Sequence, residues 1–367
     1  MSGHVKANHR STANPTGSGA PAEQSFRLPA EWEPHAATWL VWPQYREDWP
    51  GKFAVIPWAY AEMVRKLAES ETVRVLVGHE SVAARARGIL AKAHADLSAV
   101  EFVIGRTNRG WARDTLPAFV KDAGGDTVMA AFRFNGWAKY KNHALDAKAP
   151  EYVQGALGLP LLPIEHKGRQ VVLEGGALDV NGSGTILVTE ECLQHPSVQV
   201  RNPGFTKQDY AEVFGRWLGA PNVVWLPGGV AGDDTHGHVD DVCRFVNRTT
   251  VVHCREDDPA DPNHAVLREN MAVLREARLE DGARLEVVDL PMPRPLLYGG
   301  MRLPASYANF YIANSVVLVP TFNDPADHRA LGILAELFPH RRVTGIHAVD
   351  LVLGQGSIHC LTHEQFA

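Results

Sequence analysis

The chain has 367 residues, 45% hydrophobic and 21% charged, a make-up that fits a globular protein with a sizeable core. Its 36 Lys and Arg against 42 Asp and Glu leave a net charge of −6, and no basic block occurs, so nothing electrostatic points to nucleic acid. No apolar run approaches the ~20 residues that span a bilayer, and Cys192, Cys243, Cys254 and Cys360 form no CxxC pair, which argues against structural zinc and for free thiols in a reducing cytoplasm.

In chain order, residues 1–25 are polar and rich in Gly, Pro, Ser and Ala, and are predicted to be a disordered tail. A single domain is expected over 26–367, since no linker interrupts it. A strand is predicted over Ala37–Trp42, within EWEPHAATWLVWP. Helical spacing of Ile56, Ala59, Met63, Val64 and Leu67 predicts a helix near Val55–Glu69. Val73–Val77 reads as a buried strand. Ser81 is the expected cap of a helix running to His94. Phe102–Ile104 follows as a strand, and Leu116–Val120 and Val128–Phe132 flank a Gly124-Gly125-Asp126 turn.

A helix at Glu151–Leu157 precedes a strand over Gln170–Val180, which is expected to pair with Thr185–Thr189 across Asn181-Gly182. Lys207–Leu218 is helical by its apolar stripe. Val223–Leu226, Val242–Val246 and Thr250–Cys254 are strands, Asn263–Ala277 is a helix and Leu285–Leu290 a strand. Ser315–Pro320, Pro325–Leu337 and Val343–Val349 read strand, helix, strand. The recurring order of hairpin, helix and strand marks an α/β fold, without choosing between sheet, barrel and propeller.

Four segments carry candidate chemistry. The loop GGVAGDDTHGHVDD places Asp233, Asp234, His236, His238, Asp240 and Asp241 between two strands. Four carboxylates so close together imply a cation among them, either a metal or an organic one. HGHVDD approaches a metal-hydrolase pattern but lacks the last histidine, and no later array of ligands is evident. Trp111-Ala-Arg113-Asp114 offers a carboxylate and an aromatic face to a planar cation, or else a surface ion pair. Glu174, set between apolar residues and Gly175-Gly176, needs a partner if buried, and a histidine would serve. Cys360, after the Gly354-Gln355-Gly356 loop, is a candidate thiol; the other cysteines lie in strand-like runs and read as core residues. Several carboxylates with one Cys and one His suit a guanidinium, which is planar, cationic and matched to carboxylates.

EWEPHAATWLVWP, WARD, LEGG, TEECL with RNP downstream, GDDTHGHVDD, PASYANFYIANSVVLVPTF and GQGSIHC occur in this order from Glu31 to Cys360. On these motifs the chain resembles the agmatine deiminases, relatives of bacterial peptidylarginine deiminases. The resemblance implies a pentein fold: an α/β propeller of five ββαβ-type modules with pseudo-fivefold symmetry. It implies Cys360 as nucleophile, His238 as general acid and base, and Asp114 and Asp240 as the grip on the guanidinium. Glu174 would support His238, Trp111 would line the pocket, and Asp234 would meet the distal ammonium.

The implied reaction turns agmatine into N-carbamoylputrescine and ammonia through a covalent thiouronium. No metal or organic cofactor is required. The implied partner is a small cationic guanidine, with neither nucleic acid nor membrane, and a homodimer is in keeping with the family. Asp241, Ala177 and Gln355 depart from the family's usual letters. They leave room for another guanidine compound or peptidyl arginine. An amidino-group transferase, a non-catalytic guanidine binder and a metal-dependent hydrolase on HGHVDD are the other readings.

Overall fold

The structure, a computed structural model, describes residues 25–367. The tail expected at 1–25 therefore lies, but for Ser25, outside the described residues.

One wiring pattern recurs in five sheets: two antiparallel strands, a helix, then a strand parallel to the second. It joins Ala118–Lys121, Thr127–Ala131 and Leu161–Pro163. It joins Asp179–Val180, Thr185–Thr189 and Asn222–Leu226. It joins Cys243–Phe245, Thr250–Arg255 and Glu286–Pro291, and Tyr311–Ile312, Val316–Thr321 and Arg342–His347. The remaining sheet closes the chain on itself. His35–Val41 takes its antiparallel partner from the C-terminal strand Thr362–Phe366, then pairs in parallel with Thr72–Val77, which pairs with Val100–Ile104.

Local chemistry explains where the helices lie. Lys207–Leu218 starts at a capping box between Thr206 and Asp209 and stops at Gly219, whose φ of 65° is left-handed. Of the apolar stripe read from the sequence it buries Tyr210, Val213, Phe214 and Leu218, while Trp217 is half-buried. Asp261 caps Pro262–Glu276, with proline at the first helical position. No helix among the described residues is long and apolar enough to cross a membrane.

Two expectations fail locally. Ser81 is not a cap: the helix runs Glu80–Lys92 with extended His79 ahead of it, whose carbonyl accepts from Val82 and Ala83 N–H. The strand expected over Gln170–Val180 breaks into Arg169–Gln170, a turn at Gly175–Ala177, and Asp179–Val180. The Glu174 carboxylate is turned inward onto Arg201, and the glycines after it admit close neighbours, the Arg113 carbonyl at Gly175 and His238 at Gly176.

Candidate active site

Each candidate residue sits on the short turn leading into the first strand of one of these sheets. Asp114 is on the turn Ala112–Thr115, ahead of Ala118–Lys121. Glu174 precedes the turn Gly175–Ala177, ahead of Asp179–Val180. His238 and Asp240 flank Val239, ahead of Cys243–Phe245. Cys360 is on Ile358–Leu361, ahead of Thr362–Phe366. Residues far apart in sequence thus converge, and all five are buried, none more than 6% exposed.

Gly176 marks the centre. A Cβ there would lie 2.5 Å from His238 Nδ1 and 3.1 Å from both Asp114 Oδ1 and Asp240 Oδ2, so only glycine admits this convergence. Asp114 is aimed by two donors, Trp137 Nε1 at 2.8 Å and the Gly176 N–H at 3.1 Å. Asp240 Oδ2 meets His359 Nδ1 at 2.7 Å and lies 3.7 Å from Cys360 Sγ. His238 stands between acids, its Nδ1 3.9 Å from Asp114 and its Nε2 3.7 Å from Glu174. Arg201 Nε donates to both oxygens of Glu174, at 3.2 and 3.3 Å. Gly356 allows a second close approach, because a Cβ there would press on the Trp111 ring at 2.9 Å and on Cys360 Sγ at 3.1 Å.

The fields in this pocket oppose one another. Burial alone lowers the pKa of His238, but Asp114, Glu174 and Asp240 outweigh it and hold the imidazole up at about 9. Burial raises Asp114 to about 6, against the pull of His238. Burial also works against an ionised Glu174, yet Arg201 and His238 bring it down to about 2. Asp240 stays below the ordinary carboxylate range despite burial, because His359, His238 and Arg244 favour its charge. Burial drives the Cys360 thiol well up, and the charges of Asp240, Asp241 and Asp114 add to that. Both ring nitrogens of His238 and Oδ1 of Asp240 are buried without a hydrogen-bond partner among the described residues. Such groups are costly unless something fills the space between them.

The pocket opens into a cavity of about 230 Å³ whose lining includes Trp111, Asp114, Trp137 and Cys360. At its mouth Asp234 is engaged by Lys139 and by Tyr140 Oη at 2.6 Å. Asp48 also faces the cavity, with Arg109 Nε 3.3 Å away and Oδ2 unpartnered among the described residues. Burial raises Asp48 to about 7, against the pull of Arg109.

The acidic loop does not act as one cluster. Asp233 accepts from the Thr235, Gly237 and His238 N–H groups and so shapes the loop. Asp234 is at the mouth, Asp240 in the pocket, and Asp241 behind it on Asn309. Asp233 and Asp234 thus part from Asp240 and Asp241, which stay close to each other beside Cys360, since a tight loop sends side chains in different directions. The two loop histidines separate too: His236 Nδ1 lies 3.0 Å from the Glu191 carbonyl, while His238 points into the pocket. Two groups of ligand-type atoms do come close, Glu174 with Cys192 and His238, and Asp240 with Asp241 and Cys360; His236 is in neither. Trp111-Ala-Arg113-Asp114 is no surface pair, since Arg113 is buried against Glu31 and Glu364.

Several residues of the site went unread in the sequence. Trp137 carries no motif around it. Arg201 did have a signal: it opens the RNP triplet, whose Asn202 braces both the N–H and the carbonyl of Val172. Glu31, in EWEPH, joins His359 Nε2 at 2.8 Å.

Fold and pocket together define an α/β enzyme with a buried thiol, an imidazole and facing carboxylates. Residues 27–365 match the family described as Porphyromonas-type peptidyl-arginine deiminase. An agmatine deiminase of Stutzerimonas stutzeri is 35% identical, covering 94% of this chain and 96% of its own. One from Pseudomonas aeruginosa is 32% identical, covering 96% and 98%. The solved agmatine deiminase of Enterococcus faecalis superposes with a TM-score of 0.84 at 26% identity, over 93% of this chain and 96% of that one. A Cys→Ser variant of the C. jejuni agmatine deiminase, solved with substrate bound, gives 0.82 at 26% identity, over 97% and 99%. The chain belongs to this family, alongside the agmatine deiminases, and is an enzyme.

Proposed function

We propose that this enzyme hydrolyses agmatine to N-carbamoylputrescine and ammonia through a thiouronium on Cys360. The observation that carries the reading is the convergence of Asp114, Asp240 and His238 around one point, with the sulfur 3.7 Å from Asp240. A guanidinium in the adjoining cavity, beside Asp114 and Cys360, meets Asp114 and comes within reach of Asp240 next to the sulfur; at about 4 Å in a protein environment each such contact is worth about 4 kcal/mol before desolvation. The same cation offsets the fields that disfavour a thiolate on Cys360, so binding and activation are coupled.

The Cys360 thiolate then attacks the central carbon and forms a C–S bond. His238, protonated at neutral pH, gives its proton to the departing nitrogen. The C–N bond breaks and ammonia leaves. His238 next takes a proton from water, which attacks the same carbon. The C–S bond breaks, returning the thiolate and releasing the ureido product. Glu174, held by Arg201, keeps His238 basic enough for both steps.

The reaction needs no step on a metal or organic cofactor. The depth of the site favours a small free guanidine over an arginine within a peptide. Asp48, with an oxygen to spare, and Asp234, already on Lys139 and Tyr140, are the acids placed for the distal ammonium. In this reading residues 26–367 are one pentein domain, its units set about a pseudo-fivefold axis through the pocket. The repeated wiring, and the entry of each site residue ahead of a first strand, support it.

A panel of guanidines assayed for ammonia and ureido product tests the function. Agmatine is expected to lead, with free arginine far behind, because the acids at the mouth repel its α-carboxylate. Cys360→Ser is expected to abolish turnover and retain agmatine binding by calorimetry. Appreciable turnover by that variant rules out the covalent route.

A further inference from the structure

Four of the five sheets send a residue from the turn before their first strand into the pocket. The fifth, which begins at Tyr311–Ile312, has Asn309 in the corresponding place, fully buried. We propose that Asn309, locked by Asp241, is the positioning residue of the nucleophile: its side-chain amide donates to the Cys360 sulfur and holds it toward the substrate. This rests on Cys360 being the nucleophile.

The orientation of the amide is forced. Asn309 Oδ1 accepts from the backbone N–H of His359 at 3.0 Å and of Cys360 at 3.4 Å, and from the Ser357 hydroxyl at 2.9 Å. Backbone N–H groups only donate, so the oxygen must face them and the nitrogen must face the other way. Nδ2 then has Cys360 Sγ at 3.1 Å and Asp241 Oδ1 at 3.0 Å. Both of its hydrogens are used.

Asp241 is itself fixed, since its backbone carbonyl accepts from the Ser306 hydroxyl at 2.8 Å. Burial, and then the neighbouring charge of Asp240, push its carboxyl well above the ordinary carboxylate range. Its Oδ1 accepts from the Asn309 amide at 3.0 Å. Asp240, Asp241 and Asp114 all face Cys360, and ionised carboxylates there disfavour a thiolate. The Asn309 N–H is the contact that favours it. One side chain thereby ties the backbone of the nucleophile turn, the sulfur and the loop carrying Asp240 into a single rigid unit.

The test is the pH dependence of Cys360 alkylation by iodoacetamide, read by peptide mass mapping, together with kcat and KM for agmatine. Asn309→Asp keeps the oxygen that holds the turn and removes the donor. It is expected to raise the alkylation midpoint by about one pH unit or more and to lower kcat by about a hundredfold with KM little changed. Asp241→Asn keeps a carbonyl acceptor and is expected to retain a higher kcat than Asp241→Ala. Asp241→Ala frees the amide and is expected to lower kcat about tenfold. A parental midpoint and kcat in Asn309→Asp overturn the proposal. So does an Asp241→Ala variant indistinguishable from Asp241→Asn, which decides the matter if Asn309→Asp does not fold. Turnover by Cys360→Ser would instead remove the nucleophile itself, an outcome separate from these.

Discussion

Two buried charged clusters meet at His359, and they are built on opposite plans. On one side Glu31 lies within 3.2 Å of Arg113, Arg244 and His359, while Glu364 pairs with Arg113 and Asp179 with Arg244. Every acid there has its cation within the protein. On the other side His359 Nδ1 touches Asp240, and beyond it Asp114, His238 and Cys360 surround a space. There the imidazole nitrogens and an Asp240 oxygen have no partner among the described residues. Burial and residue types are alike in the two clusters. The difference lies in charge balance: one cluster pairs its acids with cations of the protein, and the other leaves acids facing a cavity, as the proposed cationic substrate requires.

The comparison breaks most sharply at Asp114. Asp114→Asn is expected to lower kcat/KM for agmatine by about a thousandfold, or about 4 kcal/mol. Stability should not fall. The carboxyl is raised from its ordinary value to about 6, so its ionisation opposes folding progressively as pH rises through that range and fully at pH 7. Urea unfolding at pH 7 showing a clear loss of stability would place Asp114 with the balanced cluster. The mirror experiment is Glu31→Gln, which leaves the buried guanidiniums of Arg113 and Arg244 short of an anion. It is expected to cost about 3 kcal/mol in the same unfolding assay, and an unchanged midpoint would deny the cluster its structural role.

Glu174→Gln sharpens the comparison through pH. His238, held at about 9, carries its proton below that value and loses it above. The alkaline limb of the kcat/KM profile is therefore expected near pH 9 in the parent protein. Removing the Glu174 charge is expected to move it down by about one unit, since one of the anions favouring the imidazolium is gone. A limb that stays in place would separate Glu174 from His238. The smallest effect is expected at the mouth. Asp48→Asn should raise KM for agmatine by about five- to tenfold and leave simple alkylguanidines unaffected, as competitive binding measurements would show.

The candidate site residues were legible because they sit in short motifs with Gly or strand signals beside them: WARD, LEGG, HGHVD and IHC. The helix Lys207–Leu218 was legible to the residue from its apolar stripe, and the structure adds the caps at Thr206 and Gly219. Gln170–Val180 was misread because apolar content alone cannot show that Glu174 turns inward to an arginine in another segment. Trp137 could not be found at all, as its role is a single 2.8 Å hydrogen bond to a residue distant in sequence. Arg201 and Glu31 lay inside quoted motifs, but their partners were invisible.

By itself the sequence determined the residue types of the chemistry, the alternation of hairpins, helices and strands, and the family, because these rest on local spacing and ordered motifs. Only the tertiary structure decided which charges are neutralised within the protein and which are left for a substrate. That balance depends on distances of about 3 Å between side chains from different sheets, and neighbours along the chain carry no record of it. The four acids of the Asp233–Asp241 loop, close in sequence but given different hydrogen-bond partners, show the physical reason: a folded backbone sorts charges by direction, and only the packed whole sets their partners.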